Sequence, residues 1–321
     1  MKMTLWIWLL IVLSQSLHAQ LENKNNYWDS KVPAATFNPR SYVCYRTDDS
    51  ITIDGIPDEE SWQSVEWTDE FLDIRGEKFP GPTYSTRAKM LWDDQYFYVA
   101  ARLEEPHIQG SITQHDAVIF HDNDFEVFID PSGDTHFYYE LEINALNTIW
   151  DLLLVKPYRA GGPPINSIES KGIKNAIHIE GTLNDPSDTD SCWYVELAIP
   201  LYTLSELNGK KYPKEGHQWR VNFSRVQWHT KVTENTYEKI KDPTTGKNLP
   251  EENWVWSPQG VVDMHRPETW GFVQFSEKKA GSGKTNFIFK EEEQIKWALR
   301  NIYMAQRKHR AKTGAFAEDA Q

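Results

Sequence analysis

Residues 124–144 read Asp-Phe-Glu-Val-Phe-Ile-Asp-Pro-Ser-Gly-Asp-Thr-His-Phe-Tyr-Tyr-Glu-Leu-Glu-Ile-Asn. Apolar and polar residues alternate on both sides of a Pro-Ser-Gly-Asp turn, which predicts an antiparallel β-hairpin with one buried face. Successive side chains of a strand point to opposite faces of the sheet. One face is therefore predicted to be apolar, with Phe125, Val127, Ile129, Phe137, Tyr139, Leu141 and Ile143. The other is predicted to be polar, with Asp124, Glu126, Glu140, Glu142 and Asn144.

The polar face of this hairpin places acidic residues opposite one another. If the turn is short, Glu126 lies across from Glu140, and Asp124 lies across from Glu142. Like charges that face each other across a ladder destabilise a sheet, so we expect a cation or a hydroxyl-rich ligand on this face. The pattern therefore predicts a binding surface, with a solvated outer face of the sheet as the alternative.

The chain begins with features of a signal peptide. Met-Lys-Met-Thr supplies a basic start, an apolar run follows from Leu5 to Leu13, and small residues precede a cleavage site near Ala19. The apolar run is too short to span a bilayer, and no transmembrane segment is expected. We therefore predict that residues 1–19 are a leader and that the mature protein is periplasmic or secreted.

Charge restricts the possible partners. The chain has a formal net charge of −13, from 34 Lys and Arg against 47 Asp and Glu. An acidic surface repels nucleic acids and anionic membranes, whereas it permits neutral sugars and divalent cations. We therefore expect no nucleic-acid partner.

Cys44 and Cys192 are the only cysteines, which excludes a disulfide-rich scaffold. In an oxidising compartment they could form one bridge. Two buried, unpaired thiols are an equally good expectation, because nothing in the sequence places these residues close together.

Many short alternating segments separated by turns predict an all-β fold, an antiparallel β-sandwich of the jelly-roll or immunoglobulin-like type. Five regions are expected: a leader (1–19), an N-terminal extension (20–47), the sandwich (48–276), a linker (277–284) and a C-terminal helical tail (285–321). The tail contains a predicted helix with an acidic start and a basic end, an order that complements the helix dipole. We expect this helix to dock on the sandwich or, as the second choice, on a partner protein.

The order of several short motifs carries a resemblance to a known family. An early Ile-Asp-Gly precedes Leu-Trp-Asp-Asp-Gln-Tyr-Phe-Tyr-Val (91–99), Asn-Asp-Phe-Glu-Val-Phe-Ile-Asp (123–130) and Trp-Tyr-Val-Glu-Leu-Ala-Ile-Pro (193–200). Trp-Arg-Val-Asn-Phe (219–223) and Trp-Gly (270–271) close the series. Together these motifs resemble the family 9 carbohydrate-binding modules over residues 48–276.

This resemblance implies a β-sandwich that binds sugars, in some members at chain ends, with a sugar ring between aromatic side chains and structural calcium nearby. The family's sugar-binding acid corresponds to Glu126, and its neighbouring polar strand corresponds to Glu140 and Glu142. The first stacking aromatic corresponds to Phe120. The second falls near Met264 and His265, which departs from the family pattern and indicates a ligand other than the ends of xylan or cellulose.

Further side chains are candidates for contacting a sugar. Carboxylates accept strong hydrogen bonds from hydroxyls, and aromatic faces pack on the apolar side of a pyranose ring. Asn144 shares the polar face, while Trp228 and Trp256 lie at strand ends, where a core role is equally expected. Arg225 follows apolar residues on the same strand face, so it should either pair with a carboxylate or line a pocket.

Four acidic residues are candidate calcium ligands, since calcium prefers hard oxygen ligands: Asp122, Asp124, Asp130 and Asp134. Their spacing is not that of an EF-hand loop, and ordinary turn formation is an equally good explanation.

The leading functional hypothesis is a non-catalytic protein that recognises an oligosaccharide or polysaccharide in glycan degradation. A glycoside hydrolase that uses two of the three glutamates is the second hypothesis, but no apolar pocket is evident that would keep one of them protonated. The third is a haem-binding sandwich with Met264 and His265 as ligands, although no Cys-x-x-Cys-His motif is present. A purely structural or docking role of the C-terminal helix is the fourth.

Overall fold

The computed structural model describes residues 37–166, 170–209 and 211–319. The predicted leader and most of the predicted N-terminal extension lie outside the described residues. The chain divides into two compact units, residues 38–288 and a unit that contains Phe37 and residues 289–319, and each is described by itself.

The larger unit consists mainly of short strands. They are β1 (Ser41–Arg46), β2 (Leu72–Asp73), β3 (Thr86–Trp92), β4 (Tyr96–Glu104), β5 (Asp124–Asp130), β6 (Tyr138–Asn144), β7 (Ile149–Leu154), β8 (Pro164–Ile165), β9 (Lys174–Glu180), β10 (Cys192–Pro200), β11 (Gln218–Gln227), β12 (Thr230–Thr233), β13 (Thr236–Lys239), β14 (Glu252–Val255) and β15 (Gly271–Lys279). Its helical segments are α1 (Glu60–Gln63), α2 (Leu201–Glu206) and 3-10 turns at Ile119–His121, Tyr158–Ala160 and Pro267–Thr269.

Thirteen of these strands form one continuous sheet. The order along its main path is β8-β7-β6-β5-β11-β15-β1-β3-β4-β10-β9, with β14 paired to β11 and β2 paired to β14. Most neighbours are antiparallel, but β1 runs parallel to both β15 and β3. The prediction of a wholly antiparallel fold is therefore wrong at β1.

The long sheet bends until its two halves face each other, as the layers of a β-sandwich do. Phe97 on β4 and Trp219 on β11 are four strands apart in the sheet, which is about 19 Å in a flat sheet at about 4.8 Å per strand. Their ring centroids are nevertheless only 5.7 Å apart. Both rings belong to one buried apolar cluster that also contains Val127, Leu141 and Leu197 from strands along the whole path.

Two boundaries differ from the prediction. Residues 41–46, which the sequence analysis places in an N-terminal extension, form β1 inside the sheet. At the other end, β15 continues to Lys279, beyond the predicted end of the sandwich at residue 276. The polar segment at 229–253 contains the β12–β13 hairpin.

The β5–β6 hairpin forms as predicted, but its register differs. Glu126 pairs with Glu142, and Asp124 pairs with Asn144, so the predicted pairs Glu126–Glu140 and Asp124–Glu142 are wrong. The shift equals two residues because the connection spans residues 131–137, and Phe137 belongs to it with a φ of 49° and an exposure of 48%. A shift of two keeps every strand side chain on its predicted face.

The polar face of this hairpin is buried. A second apolar cluster covers it and includes Ile119, Phe128, Trp150, Met264 and Trp270. Phe128 and Trp150 belong to strands β5 and β7, whereas segments before β5 and before β15 supply Ile119, Met264 and Trp270. The interpretation of a solvated outer face is therefore wrong.

The smaller unit contains α3 (Glu292–Thr313), a helix of 22 residues that confirms the predicted C-terminal helix. Trp297 stacks on Phe37 with ring centroids 4.9 Å apart, while Ile295, Leu299 and Ile302 are 59–63% exposed. None of the helices in the described part of the chain combines the length and apolar character that crossing a bilayer requires.

Candidate functional site

The polar face of the β5–β6 hairpin, which we call the acidic face, continues onto the neighbouring strands. Side chains from four strands lie side by side on it. Ser224 on β11, Glu126 on β5, Glu142 on β6 and Trp150 on β7 occupy one continuous row across the ladder. Cross-strand neighbours in such a row are about 5 Å apart at Cβ, which brings their polar ends together. These side chains share one face because polar and apolar residues alternate along the strands.

Asp124, Glu126 and Glu142 form what we call the carboxylate cluster. One carboxylate oxygen from each lies within 4.8 Å of the others, and the three residues are 0%, 5% and 2% exposed. Glu140, at 4% exposure, lies on the same face and pairs with Phe128 across the ladder. Four acidic side chains are thus gathered on one buried surface.

Several polar atoms on this face lack a hydrogen-bond partner. They are Asp124 Oδ2, Glu126 Oε2, Glu140 Oε2 and the indole Nε1 of Trp150, all of them buried. Among the described residues, no lysine or arginine nitrogen lies within 4.0 Å of the carboxylate cluster. Buried polar atoms are normally satisfied, so an unpartnered group of this size indicates a site for a ligand or an ion.

The electrostatics of the face follow from this burial. Burial raises the pKa of Asp124, Glu140 and Glu142 well above the ordinary carboxyl range, and repulsion from neighbouring acids, Glu126 in each case, raises it further. Burial also raises the pKa of Glu126 to about 7. The four acids cannot all remain ionised at neutral pH without a compensating partner.

Tyr158 and His265 border the face on the side of Glu140. Their ring centroids are 4.3 Å apart, and His265 Nδ1 lies 3.9 Å from Glu140 Oε2 and 3.0 Å from the Tyr138 hydroxyl. Arg159 holds this loop in place because its Nη1 donates a 2.6 Å hydrogen bond to the His265 carbonyl oxygen. Burial and the nearby acids Glu140 and Glu142 raise the pKa of Tyr158, which is 41% exposed, to about 12.

Phe120 and Trp228 border the face on the side of Glu142. The Phe120 backbone N–H donates a 2.9 Å hydrogen bond to Glu142 Oε2, and Trp228 Nε1 donates a 2.8 Å hydrogen bond to the Phe120 carbonyl oxygen. Lys239 from the β12–β13 hairpin places its Nζ 3.3 Å from the centroid of the Trp228 ring. Both aromatic rings are half-buried, so each offers part of its surface to solvent.

The structure brings together many of the predicted site residues. Glu126, Glu140, Glu142, Phe120, Trp228 and His265 lie on or beside the acidic face. Met264 is part of the apolar cover, where its sulfur accepts a 2.8 Å hydrogen bond from Gln259 Nε2. Asn144 lies at the edge of the face, but its amide is fully engaged with Ile112, Asp122, Leu146 and Thr148.

Arg225 and Trp256 lie away from the acidic face, each in the other role that the sequence left open for it. Arg225 is paired with Phe125 in the ladder and therefore points away from Glu126. Its guanidinium pairs with Glu105 at 3.0 Å. Pairing with a carboxylate is one of the two roles that the sequence analysis expects for Arg225. Trp256 is 1% exposed and belongs to the main apolar cluster.

The four predicted calcium ligands do not converge. Asp124 and Asp130 stand at opposite ends of β5, about 20 Å apart at about 3.3 Å per residue. Asp122 accepts hydrogen bonds from Ser111 and Ile112, and Asp130 accepts them from residues 132–135 of the hairpin turn, as Asp134 does from His136. Local turns therefore account for Asp130 and Asp134, and hydrogen bonds from a more distant segment account for Asp122. Of the four, only Asp124 belongs to a cluster of potential ligands.

Two residues of the face were missed from the sequence. Trp150 could have been found, since it alternates with Asp151 in the strand that follows the hairpin. Tyr158 had no such signal, because it lies in a loop and reaches the face only through its contact with His265, more than a hundred residues later in the chain.

The bent sheet, with its buried acidic face and aromatic rings on two sides, places the protein in the class of β-sandwiches. Residues 53–273 match the family described as carbohydrate family 9 binding domain-like. This match covers more than half of the chain, and the protein belongs to that family. The resemblance noted in the sequence is thereby confirmed.

Two curated relatives match a shorter part of the chain. An exoglucanase, XynX, of Acetivibrio thermocellus is 30% identical over 122 residues, which is 38% of this chain and 9% of the enzyme. An endo-1,4-beta-xylanase A of Thermoanaerobacterium saccharolyticum is 29% identical over 121 residues, again 38% of this chain and 9% of the enzyme. The chain thus matches less than a tenth of the length of each relative.

The chain is also similar to solved structures. A candidate carbohydrate-binding protein from Bacteroides uniformis has a TM-score of 0.52 at 16% identity, with 74% of this chain and 100% of that chain covered. A family 9 carbohydrate-binding module from Caldicellulosiruptor kristjanssonii, solved with glucose, has a TM-score of 0.46 at 15% identity, covering 76% of this chain and 100% of that one.

Proposed function

We propose that the protein is an exported, non-catalytic carbohydrate-binding protein and that its ligand, an oligosaccharide or the end of a polysaccharide chain, binds at the acidic face. The single observation that supports this most strongly is the set of unpartnered atoms there: carboxylate oxygens, including Glu140 Oε2, together with the indole Nε1 of Trp150.

The chemistry of these atoms favours hydroxyl groups. Glu140 Oε2 can only accept a hydrogen bond when it is ionised, and Trp150 Nε1 can only donate one. A hydroxyl group does both, so one sugar ring with adjacent hydroxyls satisfies the carboxylate and the indole together. A hydrogen bond to an ionised acceptor is also stronger than one between neutral groups.

The aromatic border suits the apolar side of a sugar ring. Tyr158 is 41% exposed beside Glu140, and Phe120 and Trp228 are half-buried beside Glu142. Aromatic rings at such a border bury large apolar areas when they stack on a pyranose. Because these rings lie on two sides of the face, they favour a single terminal residue held between them over a long chain lying across a flat surface.

The arrangement of the acids favours binding over hydrolysis. Glycoside hydrolases place two carboxyl groups on either side of the scissile bond, with separations of about 5–5.5 Å or about 6.5–9.5 Å. Here the acids project from one sheet face, so all of them approach a ligand from the same side. The family membership of the chain agrees with a binding role.

A glycan array probed with the full chain tests this proposal. We expect binding to oligosaccharides of plant or microbial type, and a loss of affinity of about tenfold or more for Glu140→Gln and for Tyr158→Ala. Phe120→Ala should also weaken binding. Tyr212→Ala is the matched control, since Tyr212 is 45% exposed and lies outside the acidic face and its border.

Two results would contradict the proposal. Retention of full affinity by both Glu140→Gln and Tyr158→Ala would place the ligand elsewhere. Release of reducing sugar by the wild-type chain, abolished in Glu126→Gln or Glu142→Gln, would instead support the hydrolase hypothesis.

A further inference from the structure

We propose that the sugar held at the acidic face carries a free amino group, and that its ammonium binds the carboxylate cluster of Asp124, Glu126 and Glu142. This inference rests on the proposed function and narrows the ligand from saccharides in general to amino sugars whose amine is not acetylated. It leaves Glu140 and Trp150 in contact with hydroxyl groups of the same ring.

The acidic face carries more negative charge than a neutral sugar can compensate. Four acidic side chains project from it, the carboxylate cluster and Glu140, and each of them is at most 5% exposed. In the part of the chain that the structure describes, no lysine or arginine pairs with any of the four, and His265 approaches Glu140 alone. Hydroxyl groups supply hydrogen bonds but no charge, whereas buried charges in proteins are normally paired. A ligand that brings its own positive charge therefore fits this face better than a neutral one.

The spacing of the cluster matches the donors of one ammonium group. An ammonium nitrogen lies about 2.8 Å from an ionised carboxylate oxygen, and its three N–H bonds point to corners of a tetrahedron, so three oxygens around it lie about 4.6 Å apart. One oxygen from each of Asp124, Glu126 and Glu142 lies within 4.8 Å of the others. A single ammonium can therefore donate to all three carboxylates.

Unpartnered atoms of two kinds indicate an amine beside a hydroxyl. Asp124 Oδ2 and Glu126 Oε2 are buried acceptors and Trp150 Nε1 is a buried donor, and none of them forms a hydrogen bond within the described residues. Trp150 is the neighbour of Glu142 across the ladder. An ammonium only donates, so it cannot satisfy the indole, which needs an acceptor such as a hydroxyl oxygen. An amino sugar carries an amine and a hydroxyl on adjacent ring carbons and provides both.

The aromatic border also suits a cation. The Trp228 ring already has the Lys239 Nζ 3.3 Å from its centroid, and the Tyr158 ring is 41% exposed beside Glu140. Aromatic faces attract cations, and they also pack on the apolar side of a sugar ring. The border is therefore compatible with both parts of an amino sugar.

Burial of the cluster should make it sensitive to the state of the amine. Acetylation removes the positive charge and two of the three N–H donors, and it adds a bulky group. Since Asp124, Glu126 and Glu142 are only 0–5% exposed, their carboxylates would then be covered by the ligand with neither a cation nor water to satisfy them. We therefore expect the site to reject the acetylated form of the same sugar.

Matched sugars, titrated into the full chain by calorimetry in the presence of a metal chelator, test the inference. The sugars are glucosamine and galactosamine oligosaccharides, each compared with its N-acetylated counterpart and with the counterpart that has a hydroxyl in place of the amine. We expect at least one free-amine sugar to bind about tenfold more tightly than both of its counterparts, because its hydrogen bonds join two charged groups.

Charge-removing variants should abolish this preference. Glu126→Gln and Glu142→Gln should each weaken binding of the free-amine sugar about tenfold and change that of its hydroxyl counterpart less than about threefold. Glu142→Gln keeps an oxygen that accepts the Phe120 N–H, so it should fold, which thermal melting checks. Asp116→Asn is the matched control, because Asp116 is exposed and lies outside the acidic face, and it should leave the preference unchanged.

The outcomes separate this inference from the proposed function. Equal affinities for the free-amine, acetylated and hydroxyl sugars would overturn the inference and leave the proposed function intact, whereas a chain that binds no sugar would overturn both. Equal weakening of all three sugars by Glu126→Gln and Glu142→Gln would also overturn the inference, since it indicates a structural role. A lysine-containing peptide that binds as tightly as the amino sugar would overturn it in favour of a basic peptide ligand.

Discussion

The indole Nε1 of Trp62 donates a 3.0 Å hydrogen bond to Glu196 Oε1, and both side chains are fully buried. The other oxygen of Glu196 accepts hydrogen bonds from the backbone N–H groups of Asp54 and Gly55, each at 3.1 Å. One carboxyl group thus fastens α1 and the loop before it to strand β10. In the described residues no cation lies within ion-pair distance of it, and the donors that contact it are all neutral.

Glu196 should make stability depend on pH. Burial raises its pKa from 4.5 to about 7, so in the folded protein it keeps a proton that the unfolded chain releases near pH 4.5. The stabilisation from the neutral form is therefore complete below about pH 4.5 and is lost as the pH rises through about 7. Glu196→Gln should remove this dependence and lower the number of protons released on unfolding near pH 6 by up to about one.

Urea unfolding of wild type and Glu196→Gln between pH 4.5 and pH 8 measures this effect. Burial also raises the pKa of Glu126 on the acidic face to about 7, but this group is common to both proteins, so its contribution cancels in the difference. Parallel curves of unfolding free energy against pH would contradict the prediction.

The buried pair of Arg225 and Glu105 should be essential for stability. Arg225 is 1% exposed, and it donates further hydrogen bonds to Gln227, Thr86 and the Glu104 carbonyl oxygen. Arg225→Met leaves Glu105 buried without its cation, which should cost about 3–5 kcal/mol in unfolding free energy.

The exposed pair of Arg87 and Glu70 provides the control for this prediction. Its side chains are 48% and 43% exposed, so Arg87→Met should cost less than about 1 kcal/mol. Chemical denaturation of both variants makes the comparison. Since Arg225 points away from the acidic face, the folded Arg225→Met protein should keep its ligand affinity; a selective loss of affinity at unchanged stability would restore Arg225 as a ligand-binding residue.

The sequence predicted which side chains share a face of the sheet far better than it predicted which residues pair across the hairpin. Alternation in a strand has a period of two, so Phe125 and Glu126 could be assigned to opposite faces without knowledge of the turn. The register of the hairpin depends on the conformation of residues 131–137, where Phe137 adopts a positive φ that no alternation pattern reveals. The cross-strand pairing of Glu126 with Glu142 could therefore not be predicted from the alternation.

Burial of the acidic face could also not be predicted from the alternation, because side chains from loops that are distant in the sequence cover this face. His265 reaches Glu140 and Tyr158 from a loop before β15, and Ile119 comes from a 3-10 turn before β5. Contacts between loops far apart in the chain depend on the whole fold rather than on local periodicity. The β-sandwich itself could be predicted because the alternation of apolar and polar residues is visible within each strand.

Gly271 should be intolerant of any side chain. A Cβ at this position would overlap the ring of Trp256, which is 1% exposed in the main apolar cluster. Gly271→Ala should therefore displace the indole and cost about 1–3 kcal/mol, measured by urea unfolding. Gly81→Ala is the control, because a Cβ there meets no atom within 4 Å; equal costs for the two variants would contradict the packing argument.

Cys44 and Cys192 should remain free thiols. Both are fully buried and unpaired. Tyr45, next to Cys44, leads across the ladder through Leu91 and Tyr98 to Ala198, and Cys192 lies six residues from Ala198 along β10, about 20 Å at about 3.3 Å per residue. A disulfide requires Cα atoms within about 7 Å, so the bridge left open by the sequence is excluded by the fold. Burial also raises the pKa of the Cys44 thiol well above its usual range, which slows its reaction as a thiolate. Ellman's reagent should therefore detect two thiols per chain in denaturant and react only slowly with Cys44 in the native protein. A denatured, non-reduced chain without reactive thiols would show instead that the two cysteines are bridged.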